Sequence, residues 1–313
     1  MTKEGFTFGV LCYNQERFIV EHLESIKYQI ENYGEDYNVN LIISDDCSTD
    51  RTVDIASKWI ERNKNLFNSV EILCPKKNQG IVKNITRLLC AVKDVRFKIL
   101  AGDDLYYKNN IFLINNDCDI SLTHTIKFKG SSIDISEELY IFKYLLIANN
   151  LGMLVNDYLQ YFCCVESPGV FFSKKFLNQE LFDELKPYTW IEDVPMWKCI
   201  FSKRDTRIRV LSSAYVLYRS NEGISSNVHH PKRKGFDEDL KKIQKKIFVK
   251  DRFPNKVFHK WEKSIKKRLI NFYYDKHNDK LVDFNLELKK VEIEGQAYLN
   301  LIQLNASEFM QDV

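Results

Sequence analysis

Val39-Asn40-Leu41-Ile42-Ile43-Ser44, followed at once by Asp45-Asp46-Cys47-Ser48-Thr49-Asp50, decides how the chain is read. The first six residues form a short apolar run with three β-branched side chains, which suits a strand covered on both faces. The polar cluster stops that strand and supplies capping residues for a helix expected over Arg51 to Arg62. The pattern repeats on either side. Phe6 to Cys12 reads as a strand ended by Tyr13-Asn14-Gln15, and Arg17 to Ile30 carries Ile19, Leu23, Ile26 and Ile30 at helical spacing. Val70 to Cys74 is a third strand stopped by Pro75, Gly80 to Val92 a third helix, and Phe97 to Ala101 a fourth strand ended by Gly102-Asp103-Asp104. This βαβαβαβ order predicts an α/β fold: a mostly parallel sheet flanked by helices. Ligands of such sheets bind beyond the carboxyl ends of the strands. Tyr13-Asn14, Asp45-Asp46 and Asp103-Asp104 are therefore expected along one edge.

The chain has 313 residues, 44% hydrophobic and 28% charged, which excludes wholesale disorder. No apolar run reaches the ~18 residues of a membrane span. Met1 to Gly5 leads straight into the first strand, so no signal peptide is read and a cytoplasmic location is expected. Eight cysteines contain no Cys-x-x-Cys pair, and most lie in apolar runs, so reduced core thiols are expected rather than a zinc site.

The net charge of +3 is unevenly spread. Residues 229–280 hold 17 Lys and Arg against 7 Asp and Glu. Residues 235–275 also carry Ile243, Phe253, Trp261 and Leu269 at helical spacing. This basic, amphipathic tail either packs on the preceding domain or rests on an anionic membrane surface. Its charge alone suggests nucleic acid, but no recognition motif accompanies it and the rest of the chain is net negative, so a nucleic-acid partner is not expected. The plainest boundary is the polar stretch Ser220 to Lys234. It divides a first domain, 1–228, with halves to about 107 and from about 108, from a mainly helical extension, 229–313. Oligomer formation is left open.

The polar clusters suggest specific chemistry. Adjacent carboxylates such as Asp103 and Asp104 suit Mg²⁺ or Mn²⁺, which prefer oxygen ligands, although Gly-Asp-Asp is also turn chemistry. Asp45 and Asp46 could accept from a nucleobase imide or a ribose hydroxyl, or cap the next helix. Tyr13 could stack on a base or sit at a rim. Lys83 and Asn84 could reach a diphosphate or lie on an exposed helix face. Glu192 and Asp193 open a helix between Trp190 and Trp197, where the helix field is expected to keep a carboxylate ionised.

Taken in order, Phe8 to Asn14, Ile42 to Asp50, Asn78 to Asn84, Gly102-Asp103-Asp104 and Ile191 to Trp197 resemble the motifs of family 2 glycosyltransferases. Tyr218-Arg219, with Gly223-Ile224-Ser225-Ser226 following, is similar to the tract that closes the catalytic domain in bacterial members. The resemblance covers about residues 5–228. It implies the GT-A fold and an inverting transfer from a nucleotide diphosphate sugar, UDP-linked by family frequency, to a glycan or lipid-linked glycan acceptor in surface-polysaccharide assembly. It also implies residue roles. Tyr13 and Asp46 hold the nucleobase, and Asp45 supports the loop or touches ribose. Asp104 ligates the metal directly, Asp103 is its ribose-side or water-bridged partner, and Asp193 is the base. Asn14, Lys83, Asn84, Trp190, Glu192 and Arg219 complete the substrate-binding set. His229 or His230 could add a metal ligand or lie on a surface loop, and Arg219, Lys232 and Arg233 could instead reach the diphosphate on loop closure. The rival readings are a nucleotidyltransferase, which the glycine-free Cys12 to Glu16 turn disfavours, and a non-catalytic sugar-nucleotide binder of the same fold.

Overall fold

Four parallel strands, β1 (Glu4–Cys12), β2 (Tyr37–Asp45), β3 (Ser69–Leu73) and β4 (Arg96–Ala101), form a sheet in the order β3-β2-β1-β4. The computed structural model describes residues 3–114, 117–134, 139–152, 159, 165–203, 205–220, 233–248, 272 and 276–313. Helices α1 (Ile19–Tyr33), α2 (Thr52–Asn63) and α3 (Ile81–Ala91) are the crossovers. Side chains alternate across β1, so one strand feeds two cores. Phe6, Phe8 and Val10 pack with Leu23, Ile26 and Trp59 of α1 and α2, while Leu11 joins Ile85 and Leu88 of α3. Gly9 lies on the α3 side, where a Cβ would meet Leu88 Cδ2 at 2.7 Å, so the missing side chain lets α3 lie close to β1. The predicted elements of this half are all present, with helix ends shifted by one to three residues.

The second half completes the fold with two small sheets. β10 (Ile208–Val210), β6 (Ile120–Leu122) and β9 (Val170–Phe172) form one; β5 (Leu105–Tyr106), β11 (Val216–Arg219), β7 (Ile126–Lys129) and β8 (Ser132–Asp134) form the other. Helices α4 (Tyr140–Asn150), α5 (Gln179–Leu185), α6 (Asp193–Phe201), α7 (Arg233–Phe248) and α8 (Val282–Gln311) pack around them. The apolar run Val165 to Phe172 is only partly a strand: Ser167–Gly169 is a 3-10 turn, and only the last three residues pair. Pro168 accounts for the difference, since it has no N–H to give a ladder.

The tail does not stand apart. Val291, Tyr298, Leu299 and Ile302 of α8 share a core with Leu105, Phe128 and Leu217, and the Tyr298 hydroxyl donates to the Tyr106 carbonyl at 2.7 Å. α7 docks on the segment before α6, with Ile243 buried and Lys242 Nζ donating to the Pro187 carbonyl at 2.9 Å. Most of the basic tail between these helices, and with it the expected membrane-facing pattern, lies outside the described residues, as do Gly223 to Ser226, His229, His230 and Lys232. Among the described residues, no helix is long and apolar enough to cross a membrane. The thiol expectation needs correction: Cys12 is buried, but Cys74 and Cys90 are exposed, because each falls at an element end rather than on its apolar face.

Candidate active site

The expected convergence is made by backbone hydrogen bonds. Asp46 N donates to the Cys12 carbonyl and Gly102 N to the Leu11 carbonyl, each at 2.9 Å, so the ends of β2, β1 and β4 meet. The loops beyond are stitched together. Asn14 N donates to Ser48 Oγ and Thr49 N to Asn14 Oδ1, both at 2.8 Å. Asn14 and Cys47 have φ of +53° and +63°, a left-handed conformation that L residues hold only where surroundings impose it. Half-buried Tyr13 lies between these loops.

Several predicted ligand contacts turn out to be internal struts. Asp45 is fully buried, and Ser48 donates to it through both its backbone N–H, at 2.7 Å, and its hydroxyl. Asp46 is 3% exposed and accepts from Gln79 N at 3.0 Å and Gly80 N at 2.7 Å, which ties β2 to the start of α3. Both oxygens accept from the chain, so Asp46 also anchors the loop. Asn84, expected at the diphosphate, is buried instead. It faces inward, accepting from Ser44 Oγ at 2.7 Å and donating to the Cys12 carbonyl at 3.3 Å, because the α3 turn that carries it faces the sheet. Its neighbour Lys83 is exposed.

The Gly-Asp-Asp turn is divided differently than expected. Asp104 is 2% exposed; its Oδ1 accepts from Arg219 N at 2.9 Å and its carbonyl from His22 Nδ1 at 2.6 Å. Asp103 is the more open carboxylate and accepts from Gln15 Nε2 at 3.1 Å. Burial first, then the Asp103 charge, holds the Asp104 carboxyl well above the usual range. Arg219 is also corrected. Its guanidinium is buried, donating to the Asp103 carbonyl at 2.8 Å and Glu21 at 2.6 Å, with Phe18 and Phe128 on its faces. It braces the turn and is not directed at a diphosphate.

Two buried bases under this turn were not singled out from the sequence. Lys98 of β4 donates to the Pro168 and Val170 carbonyls at 2.7 and 2.8 Å, and burial lowers its ammonium to about 7 against the pull of Asp104. His22 is lowered to about 4 by burial. A lysine inside the apolar run Phe97-Lys98-Ile99-Leu100 was the available signal, since a charge in a central strand needs a partner.

The segment before α6 reaches the donor edge. Gly80, at φ +89°, lies where a Cβ would meet Thr189 Cγ2 at 2.6 Å and its carbonyl at 2.7 Å, and Val82 N donates to that carbonyl at 3.3 Å. Asp239 of α7 accepts from Thr189 N and Trp190 N, both at 2.7 Å. Gly235 leaves room for the Trp190 indole against α7. Trp190 is thereby fixed next to the start of α3. The expected ionised state of the following pair needs correction. Burial and then the Asp193 charge push Glu192 up to about 8, and burial raises Asp193 too, so desolvation outweighs the helix-end field. The Val194 N–H donates to Asp193 at 2.7 Å and favours its anion.

Tyr218 connects these parts. Its phenol is raised by burial, then by the charges of Asp104, Asp103, Glu166 and Asp193. The residues at the turn fit a hard divalent cation. Two adjacent oxygen ligands, one held protonated-prone by burial and the other's charge, are what a cation would keep ionised. Among the described residues no three His, Cys, Asp or Glu side chains are clustered to hold an ion, so substrate phosphate would have to complete the set.

The sequence model of Glycosyl transferase family 2 matches residues 7–113, the segment that carries the three strand-end clusters. This stretch, about a third of the chain, is similar to family 2 glycosyltransferases. Likeness to individual proteins extends over more of the chain. A processive diacylglycerol beta-glycosyltransferase of Mycoplasma genitalium is 20% identical over 238 residues, 71% of this chain and 66% of that protein. This chain thus spans about two thirds of that relative's length. S. aureus TarS 1–349, solved with UDP-GlcNAc, superposes with a TM-score of 0.53 at 22% identity, covering 78% of this chain and 66% of TarS 1–349. Mannosyltransferase PcManGT from Pyrobaculum calidifontis, solved with GDP-Man and Mn²⁺, gives a TM-score of 0.52 at 12% identity over 98% of this chain and 81% of its own. The two solved structures show that the fold is GT-A.

Proposed function

We propose that the chain is an inverting glycosyltransferase that moves a sugar from a nucleotide diphosphate sugar to a hydroxyl of a glycan or lipid-linked glycan. One observation carries the reading: backbone hydrogen bonds from Asp46 to Cys12 and from Gly102 to Leu11 bring the carboxylate-bearing ends of β2 and β4 together at β1, and Val82 N bonds the Thr189 carbonyl, which brings the segment leading to Asp193 to the same edge. The UDP-GlcNAc bound to TarS and the GDP-Man bound to PcManGT support a nucleotide-sugar donor. The catalytic unit is proposed to span 1–228, with α7 and α8 as packed supports.

In this reading Tyr13 and the loop anchored by Asp45 and Asp46 receive the nucleobase. Exposed Lys83 faces the diphosphate from α3. Asp103 and Asp104 hold Mn²⁺ or Mg²⁺, Asp103 taking the direct part because Asp104 is buried against Arg219. When bound, the ion supplies charge neutralisation to the departing diphosphate. Asp193 takes the proton of the acceptor hydroxyl as that oxygen attacks the anomeric carbon. Attack opposite the leaving group inverts the anomeric centre, and no nucleophilic carboxylate is required.

Calorimetry of UDP-GlcNAc binding with and without Mn²⁺ tests the donor side. Asp103→Ala is expected to remove the Mn²⁺-dependent part of binding while Lys83→Ala weakens binding in both conditions. Retention of Mn²⁺-dependent binding by Asp103→Ala would show that the ion is held elsewhere.

A further inference from the structure

We infer that Glu166, Tyr218, Lys127 and Thr125 form an acceptor subsite that recognises a sugar ring. The inference deepens the proposed reaction and rests on it. β11 and β7 are parallel with Tyr218 opposite Lys127, so these two side chains and Thr125, two residues earlier, leave the sheet on the same face. Leu217, Ile126, Phe128 and Arg219 take the opposite face; Leu217, Ile126 and Phe128 join the α8 core, and Arg219 stacks on Phe128. One face is therefore structural; on the other, Lys127 and Tyr218 are half-buried, and buried Thr125 orients Glu166 through its hydroxyl. Glu166 reaches onto that face, accepting from Thr125 Oγ1 and pairing with Lys127 Nζ at 3.2 Å.

The strap that carries Glu166 is held by the elements that hold the reacting carboxylates. Lys98, beneath Asp104, binds the carbonyls of Pro168 and Val170. Trp197 of α6, one turn beyond Asp193, donates to Ser167 Oγ at 2.6 Å. Thr123 N donates to the Gly169 carbonyl at 2.8 Å, and Gly169 approaches the Thr123 backbone so closely that a Cβ would overlap it. A carboxylate fixed this firmly, yet with its side chain 40% exposed, is built for contact with something outside the chain. An ionised carboxylate has about four acceptor positions, enough to take further hydroxyl donors beside Thr125 and Lys127. An aromatic face beside clustered hydroxyl-binding groups matches a pyranose, which is apolar on its C–H face and polar at its rim. A plain lipid alcohol would leave the charged pair without a counterpart.

The test uses the full chain, UDP release from UDP-GlcNAc, and two probe acceptors, n-octyl β-D-glucoside and n-octanol, which share the alkyl chain and differ in the sugar ring. The glucoside is expected to stimulate release and octanol not. Glu166→Gln, close in shape, is expected to raise the glucoside KM about tenfold or more while the UDP-GlcNAc Kd stays within about twofold. Tyr218→Phe keeps the ring and is expected to retain most glucoside affinity, whereas Tyr218→Leu loses it. Equal use of octanol, an unchanged KM in Glu166→Gln, or Tyr218→Leu behaving like Tyr218→Phe would overturn the inference. UDP-GlcNAc and the other nucleotide sugars all failing to bind the wild-type chain would overturn the proposed reaction itself, which separates the two failures.

Discussion

At the scale of single residues, the site is a set of carboxylates whose surroundings differ. Asp45, Asp46 and Asp104 are buried and engaged by N–H donors, while Asp103 and Glu166 keep access to solvent. Asp193 is the proposed base, and general-base assistance is worth ~10²–10⁴-fold. Asp193→Asn should therefore lower kcat by about that factor with little change in donor Kd; a variant with undiminished turnover would remove Asp193 from the mechanism. Its neighbour gives a stability signature. Glu192 is raised from the usual 4.5 to about 8, so the folded state holds this proton more tightly than the unfolded chain does. That contribution is complete below the unfolded value and is lost as pH rises through about 8. Melting curves from pH 5 to 9 should show the wild type losing Tm with rising pH, and Glu192→Gln losing less.

At the scale of elements, what matters is how helix starts and strand ends are joined. α3 begins at a left-handed glycine because Asp46 draws in the N–H groups of Gln79 and Gly80 while Thr189 presses on the same point. The donor edge and the segment leading to Asp193 meet there, although their residues are over 100 positions apart. Gly80→Ala combines a disfavoured φ with an overlap against Thr189, and such strain costs about 1–3 kcal/mol. Urea denaturation should register that loss. Turnover should fall further than stability alone requires, since relief of the overlap displaces the Trp190 to Asp193 segment. The Gly-Asp-Asp turn has a similar brace in Arg219, whose five donors and planar faces let one side chain hold Glu21, the Asp103 carbonyl, Phe18 and Phe128 together.

At the scale of the whole molecule, α8 closes the fold rather than trailing from it. Leu299 and Ile302 are fully buried against strands that also position Tyr218 and Arg219. Ile302→Ala should therefore destabilise the chain by about 2–5 kcal/mol, and loss of activity and loss of secondary structure should occur at the same denaturant concentration. Activity surviving after α8 has melted would instead mark it as an independent appendage. α7 acts in the same way on a smaller scale, since Asp239 supplies the acceptor for two N–H groups beside Trp190.

The four-stranded sheet, its crossovers and the edge where the clusters meet were legible in the sequence because short apolar runs, helical spacing and polar stops are local signals. The order β3-β2-β1-β4 came only with the tertiary structure, because right-handed crossovers allow β4 at either edge. The second half was not legible in this way. Its strands are two to four residues long, and pieces such as Tyr218 and Lys127 become neighbours only by pairing across about 90 residues. The order of Asp103 and Asp104 was likewise undecidable from Gly-Asp-Asp alone, because either could face the cleft until the Arg219 N–H claimed one of them. Glu166 had no motif at all, and its position comes from Lys98, Trp197 and Gly169 holding the strap. Local residue chemistry thus determined the elements and the kinds of group at their ends. Which group is buried, which is braced and which is left to meet a ligand was decided by tertiary packing, because desolvation and hydrogen-bond partners exist only once distant segments touch.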